Sequence, residues 1–342
     1  MKQFILKYKG IILQFLLIIL VFVTGVFVSN AVVLRIWSSL LIANWFFLLI
    51  SISGIFLMSL HYLTGAKWSE PIIPVVREFK KGIPFLSFTF LMMLAGREYL
   101  FIHNEPSRLR ILEYEIFTVF ASAMLFFVYF FDDIFRKKNF TEKQRSIVEL
   151  LLLIPSLYIL SKIWIRDIYP SFSNPVLVFY LISCSLLIGL CILTLLLIKN
   201  YKDCLEVNEK LLYNLGRYML VIIMIRGYLW YSQALIISYT GLTIEKSVLP
   251  TNNYLLGYYT IGLLFSFLIP FIMLLFARVK ANPKYMYLLA VLILIGQYFE
   301  LYYMVYNAVI VTNYSISLID VSVFYGFMLL FILYVSNRRI AI

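Results

Sequence analysis

Charge is scarce in this sequence. Asp, Glu, Lys and Arg make up 13% of its 342 residues, while 63% are hydrophobic and the mean hydropathy is +0.94. Ordinary soluble domains are about half apolar and a quarter charged, so a soluble globular fold is excluded. Cysteine is rarer still, at positions 184, 191 and 204 only. No two cysteines are spaced as CxxC and none clusters with histidine. A structural zinc, an iron–sulfur centre and a covalently attached c-type haem are therefore unexpected in this chain. The three thiols read as small apolar fillers. Histidine occurs twice, as His61 and His103. Membrane b-type haems use paired imidazoles at matching depth, and these two fall at opposite ends of their spans, so the chain is not expected to bind haem itself. No GxSxG, HExxH or P-loop pattern is present either.

Long apolar runs take the place of these features. A span needs about 20 apolar residues, and ten such runs are read near 11–31, 37–62, 83–102, 115–135, 147–167, 175–198, 214–240, 253–277, 285–311 and 316–336. The expected fold is an all-α polytopic membrane protein forming a single integral membrane domain. Lys2, Lys7 and Lys9 precede the first run like the start of a signal peptide. Its apolar stretch is too long and VSNAVV is a poor cleavage site, so it reads as a membrane anchor. Pro155 and Pro270 fall inside runs as tolerated kinks.

The net charge of +12 is an orientation signal rather than a nucleic-acid footprint. With the N-terminus inside, 21 of the 29 Lys and Arg residues lie at inner loops and helix ends, and 7 lie at outer ones. That bias places both termini in the cytoplasm and calls for an even number of spans. The longest polar stretches, 65–82 and 199–214, are short inner loops with no room for a second domain.

The remaining basic residue, Arg226, falls deep inside a span, and so does one acid. The stretch IGQYFELYYMVYN (295–307) carries Glu300 within an apolar run. An intramembrane carboxylate costs a few kcal/mol or more unless it faces protein, water or a partner charge. Arg226 lies 12 residues past Asn214, about 18 Å deep, and Glu300 16 residues past Lys284, about 24 Å deep from the same side. An Arg226–Glu300 pair is therefore expected, acting either in proton movement or as a clamp between two helices. Gln297, Glu300, Met304 and Asn307 share one helix face. Ser232, Gln233 and Tyr239 lie outward of Arg226, with Tyr228 and Tyr231 nearby, and Asp320 begins the last run. Together with Glu245 these are the candidates for a water-linked proton path, although such residues also hold helices together. Asp132 and Asp133 beside Arg136, Lys137 and Lys138 read as a solvated helix end.

Three segments also resemble a known family. HYLTGAKWSEPIIPVVREF resembles that family's loop with a His, a Thr-x-Ala element, a Trp and a downstream Arg, here His61, Thr64, Trp68 and Arg77. YNLGRYMLVIIMIRGYLWYSQALIISYTGLTIEKS resembles its Leu-Gly-Lys helix, its aromatic-Ser-Gln element and its acidic exit. PFIMLLFARVKANPKYMYLLAVLILIGQYFELYYMV resembles its Leu-Pro-Phe to Asp-Leu-Tyr stretch. The family is the second quinol oxidoreductase (ActF-type) membrane subunit of bacterial alternative complex III, within the polysulfide-reductase (NrfD-like) membrane subunit superfamily. The resemblance implies two four-helix bundles, spans two to five and six to nine, flanked by spans one and ten. It also implies a cofactor-free subunit in the bacterial cytoplasmic (inner) membrane. Its partners would be a related NrfD-like membrane subunit, an iron–sulfur subunit and multihaem cytochrome c subunits, with a cytochrome c or terminal oxidase as acceptor. Quinol, iron–sulfur clusters and haem c would lie in those partners, and this subunit would contribute a proton path.

The chain departs from that pattern in several places. Gln297 and Glu300 stand where the family has His-x-x-Asp, so one titratable group is lost and the acid is kept. Ile244 and Glu245 replace a Glu-Glu pair, Pro155 falls on an aspartate position, and Arg226 stands where an aromatic residue is usual. A stand-alone secondary transporter with Arg226 and Glu300 at its midplane is the alternative. A membrane-embedded transferase lacks any convergent His/Asp cluster at one interface.

Overall fold

The computed structural model describes residues 30–101, 108–137, 140–168, 176–199, 209–240, 253–309 and 315–337. The expected first span and the inner-face positions before it lie outside these residues, as do Glu245, His103 and Cys204. Among the described residues every element is helical. This follows from the solvent: inside hydrocarbon a backbone amide has no water to bond, and a helix satisfies its own.

The principal helices are α1 (Asn30–Thr64), α2 (Ile83–Met93), α3 (Arg108–Lys137), α4 (Glu142–Ser161), α5 (Leu177–Lys199), α6 (Glu209–Thr240), α7 (Asn253–Leu263), α8 (Ile269–Leu275), α9 (Pro283–Ala308) and α10 (Leu318–Asn337). Among the described residues, seven stretches are long and apolar enough to cross a membrane: Val32–Thr64, Arg110–Phe131, Glu142–Arg166, Leu177–Lys199, Tyr254–Leu275, Pro283–Asn307 and Leu318–Ser336. The protein is an all-α, multi-pass membrane protein.

One of the expected spans takes a different form. The run at 83–102 is broken into α2, a 3-10 turn at Leu94–Gly96 and a single turn at Arg97–Leu100. The break lies where Gly96 meets the Trp37 indole, so closely that any added Cβ would fall 2.2 Å from the ring. The run at 214–240 forms as expected, within one continuous helix of 32 residues, α6. The second span also begins earlier than its apolar pattern predicts, at Asn30 rather than 37, which draws Arg35 into the helix.

Local signals account for several helix ends. Gly65, at φ +66°, closes α1 with its amide bonded to the His61 carbonyl at 2.9 Å, a left-handed turn that glycine adopts without strain. Thr141 and Gln144 exchange side-chain and backbone bonds of 3.3 and 3.1 Å at the start of α4, a reciprocal cap. Asn282 caps α9 by accepting from the Lys284 amide at 2.9 Å, with Pro283 as the first helical residue.

In chain order the helices form a first set, α1 to α4, and a second set, α5, α6, the α7–α8 segment and α9, which are not separate bodies, because α1 packs more extensively on α5 than on α2 or α4. α1 also packs on α5 and α9, and α10 lies against α1. Burial marks the centre: the most apolar stretch of α1 is 94% buried and that of α10 only 17%, so α1 is the internal post and α10 a lipid-facing helix.

Candidate functional site

The second helix set encloses the two intramembrane charges. Arg226 on α6 and Glu300 on α9 form an ion pair through Nη2 and Oε2, and both are almost fully buried. Two glycines allow the approach. A Cβ at Gly262 would lie 2.7 Å from Glu300 Cγ, and one at Gly296 would lie 2.6 Å from the Ser266 amide. Side chains at either position would separate α9 from the α7–α8 segment and open the site.

That segment is itself interrupted. Between α7 and α8 the residues Leu264–Leu268 form a π-helical turn. Pro270 stands four residues after Ser266 and has no N–H to close an α-helical bond to the Ser266 carbonyl. Arg226 Nη1 supplies a donor instead, at 3.2 Å. A proline and a guanidinium thus work as one device, with the freed carbonyl becoming a ligand for the buried cation.

Three further side chains complete the cluster. Tyr180 on α5 donates its hydroxyl to Glu300 Oε2 at 2.9 Å and accepts from Arg226 Nη2 at 3.0 Å. The guanidinium carbon also lies 5.3 Å from the Tyr180 ring centre, a cation–π distance. Gln297 has two amide orientations to choose between. In one, Nε2 donates to Glu300 Oε2 at 3.3 Å; in the other, the amide oxygen accepts from Arg226 Nη2 and Nη1 at 2.9 and 3.0 Å. The second gives the guanidinium two acceptors at good distance and is the favoured one. Arg226 Nε has no protein acceptor among the described residues.

Ser266 bears on protonation. Its hydroxyl oxygen is 2.6 Å from both the Gly262 carbonyl and Glu300 Oε1. A hydroxyl carries one proton and can donate to only one of them at a time. With Glu300 ionised, Ser266 donates to the carboxylate. With Glu300 protonated at Oε1, the acid donates to Ser266, which then donates to Gly262. The carboxyl can gain or lose a proton without leaving a donor or acceptor stranded.

Asp320 does not join this cluster. At the start of α10 it is fully buried and gathers donors from three elements. Arg35 reaches it with Nε at 3.2 and 3.1 Å and Nη2 at 2.7 Å. Ser39 and Tyr306 hydroxyls donate to Oδ1 at 2.6 Å each, and the Ser317 amide donates to Oδ2 at 2.8 Å. A forked, charge-assisted bond reinforced by hydroxyls is a strong clamp, here tying α1, α9 and α10 together.

The other sequence candidates lie elsewhere. Tyr239 is 85% exposed, and Ser232 bonds back to its own helix at the Tyr228 carbonyl, 2.8 Å away. Gln233 lies on α6, its side chain outside the described residues, and Glu245 lies outside them altogether. The resembling loop has its own structure. His61 Nδ1 is 3.0 Å from the Ala66 carbonyl and 2.7 Å from Ser69 Oγ. Thr64 bonds the Leu60 carbonyl at 2.6 Å. Trp68 stacks on Tyr218 with centroids 4.4 Å apart and donates to its hydroxyl at 3.1 Å. Arg77 reaches the Tyr62 hydroxyl at 3.3 Å. These contacts hold the loop on α1 and α6.

Sequence reasoning paired the charges but missed Tyr180, Ser266 and Arg35. Pro270 four residues after a serine was the available signal for Ser266. No family model matches the chain, and no curated protein matches it either.

Proposed function

We propose that this chain is a cofactor-free membrane subunit of a bacterial quinol-oxidising respiratory complex, and that Glu300 is a proton-exchanging group within it. The observation that carries the proton role is Ser266, whose hydroxyl sits 2.6 Å from two competing acceptors and accommodates either protonation state of Glu300. The Arg226 Nε donor, buried and without a protein acceptor among the described residues, supports a hydrated path, since such groups are usually met by buried water.

The subunit role draws on the resemblance. The two sets of four helices correspond to the family's paired bundles, with α10 as the flanking tenth span and 11–31 as the first. The basic bias supports both termini in the cytoplasm, and the resemblance supports the bacterial inner membrane. Its partners are a related NrfD-like subunit, an iron–sulfur subunit and multihaem cytochrome c subunits. Those partners hold the quinol, clusters and haem, and electrons leave for a cytochrome c or an oxidase.

Purification in mild detergent, with haem staining and mass spectrometry, tests the partners. Recovery of the chain alone would count against the subunit role. Proton-to-electron stoichiometry in the reconstituted complex tests Glu300: Glu300→Gln lowers it, and an unchanged value ends the proton role.

A second reading is a secondary transporter. It is favoured by one feature, the π-helical interruption that turns a backbone carbonyl toward a midplane charge, as discontinuous helices do in transporters. It requires substrate uptake by the isolated chain in proteoliposomes.

A further inference from the structure

Among the described residues four Lys and Arg side chains are buried: Lys80, Arg145, Arg226 and Lys280. The first three are ion-paired with Glu149, Glu142 and Glu300. Lys280, only 7% exposed, has no anion among the described residues. It belongs to the short helical turn Ala277–Ala281 between α8 and α9. Its stem lies along α6, where a Cβ at Gly216 would fall 2.7 Å from Lys280 Cγ and 3.0 Å from its Cβ. Its ammonium stops over the Tyr213 ring, 5.2 Å from the centre. An ammonium removed from water needs an anion or hydrogen-bond acceptors, and a ring face replaces them only in part.

The α6 face around that ring is basic. Lys210, Tyr213 and Arg217 follow at spacings of three and four residues and share one stripe. Lys210 and Arg217 are exposed, and neither makes an ion pair or hydrogen bond among the described residues. The Tyr213 hydroxyl has no partner there either. Glu209, the acid of the first turn, pairs with none of these cations. The stripe begins in the first turn of a 32-residue helix, whose dipole is positive at that end. Three cations and a hydroxyl donor thus surround a position that lacks an anion.

The flanks narrow the choice of anion. Leu275 and Phe276, just before the turn, are 55% and 61% exposed, and Tyr285 and Leu288 on α9 are 48% and 50% exposed. Exposed apolar side chains therefore border the cations, and basic pockets between transmembrane helices are a setting for anionic headgroups. Several donors around one position suit a phosphate, which offers oxygens to each of them. We propose that Lys280, Lys210, Arg217 and the Tyr213 hydroxyl bind the phosphate of an anionic phospholipid whose acyl chains lie on the Leu275 and Phe276 surface. A headgroup that also carries an ammonium meets Lys210 and Arg217 with like charge, so phosphatidylglycerol is preferred over phosphatidylethanolamine.

The test is lipid binding to the full chain, with whatever complex it carries, delipidated in mild detergent and followed by native mass spectrometry. The probes are phosphatidylglycerol, phosphatidylethanolamine and inorganic phosphate. One phosphatidylglycerol is expected to bind at least tenfold more tightly than phosphatidylethanolamine and to resist displacement by millimolar inorganic phosphate. Lys280→Gln weakens that binding at least tenfold. Lys143→Gln, which removes an exposed charge at the start of α4, leaves it unchanged. Equal binding of the two lipids, displacement by inorganic phosphate, unchanged affinity in Lys280→Gln or an equal loss in Lys143→Gln would overturn the proposal. Should Lys280→Gln fail to fold, the double variant Lys210→Gln with Arg217→Gln, altered only at exposed positions, decides it by the same tenfold criterion.

Discussion

Removing one partner of the Arg226–Glu300 pair is expected to cost unequal amounts, and the inequality follows from the contacts. Breaking a buried ion pair by deleting one member typically costs about 3–5 kcal/mol, because the other charge is stranded. Glu300→Gln strands Arg226, which is 2% exposed and keeps only neutral acceptors in Ser266, Tyr180 and Gln297. A guanidinium cannot shed its charge, so the full cost of about 3–5 kcal/mol is expected. Arg226→Gln leaves Glu300 with the Tyr180 and Ser266 hydroxyls as donors. A carboxyl can also neutralise itself by binding a proton, which Ser266 is placed to accept as a hydrogen bond. Its cost is therefore expected to be about 1.5–3 kcal/mol, the usual range for a hydrogen bond to a charged group. In the double variant no charge is stranded, so its cost falls well below the sum of the two, with a coupling of about 1–3 kcal/mol. Thermal unfolding of the four proteins in one detergent, followed by helical circular dichroism, measures all three quantities. Equal stability of Arg226→Gln and wild type would refute the pairing, and additive costs would refute the coupling.

Three further outcomes are expected. Asp320→Asn removes the charge and one of the two acceptor oxygens that unite Arg35, Ser39 and Tyr306 and costs about 2–4 kcal/mol; a loss under about 0.5 kcal/mol would show that the clamp contributes nothing. Gly262→Val forces a Cβ to within 2.7 Å of Glu300 Cγ and costs about 1–3 kcal/mol, with a loss of proton coupling greater than that of Gly257→Val, where nothing lies within 4 Å. Pro270→Ala restores an N–H near the Ser266 carbonyl, a helix repair of about 3 kcal/mol, while weakening the Arg226 bond, worth about 1.5–3 kcal/mol; unfolding temperature should therefore barely change, and a gain near the full repair value would show the Arg226 contact to be dispensable.

The membrane-crossing helices were legible because hydrocarbon leaves the backbone few options, and the run lengths carry that constraint directly. The ion pair was legible from depth alone, since two charges entering from one side at 18 and 24 Å have few other partners. Hydroxyl ligands were not, because 26 tyrosines make one more tyrosine uninformative. Ser232 and Tyr239 failed for a geometric reason. At about 100° per residue they sit some 240° and 220° around α6 from Arg226, facing away from the cluster. Arg35 was counted as a loop charge because the apolar pattern starts at 37, whereas the helix starts at Asn30. A basic residue in the first turns of a helix is as apolar-flanked as a loop residue, so its partner 285 positions away left no mark in the pattern.

The two clusters together bear on the choice between subunit and transporter. α9 carries Glu300 and Tyr306, six residues apart, about 9 Å along the helix. Through Glu300 it is held to α5, α6 and the π-helical turn; through Tyr306 and Asp320 it is held to α1 and α10. α9 is thus fixed to both helix sets by buried, charge-assisted bonds. Alternating access by rocking one set against the other would have to break one of these clusters in low dielectric, where a stranded charge costs several kcal/mol. Proton exchange at Glu300 moves no helix: a hydroxyl turns, and the loss of the Arg226 countercharge is met in place by the neutral acceptors around the guanidinium. A cysteine pair joining α9 to α1, made outside both clusters, separates these cases: cross-linking abolishes activity if the sets must rock and leaves proton coupling intact if they do not. Retained coupling is the outcome expected if the proposed proton role is right.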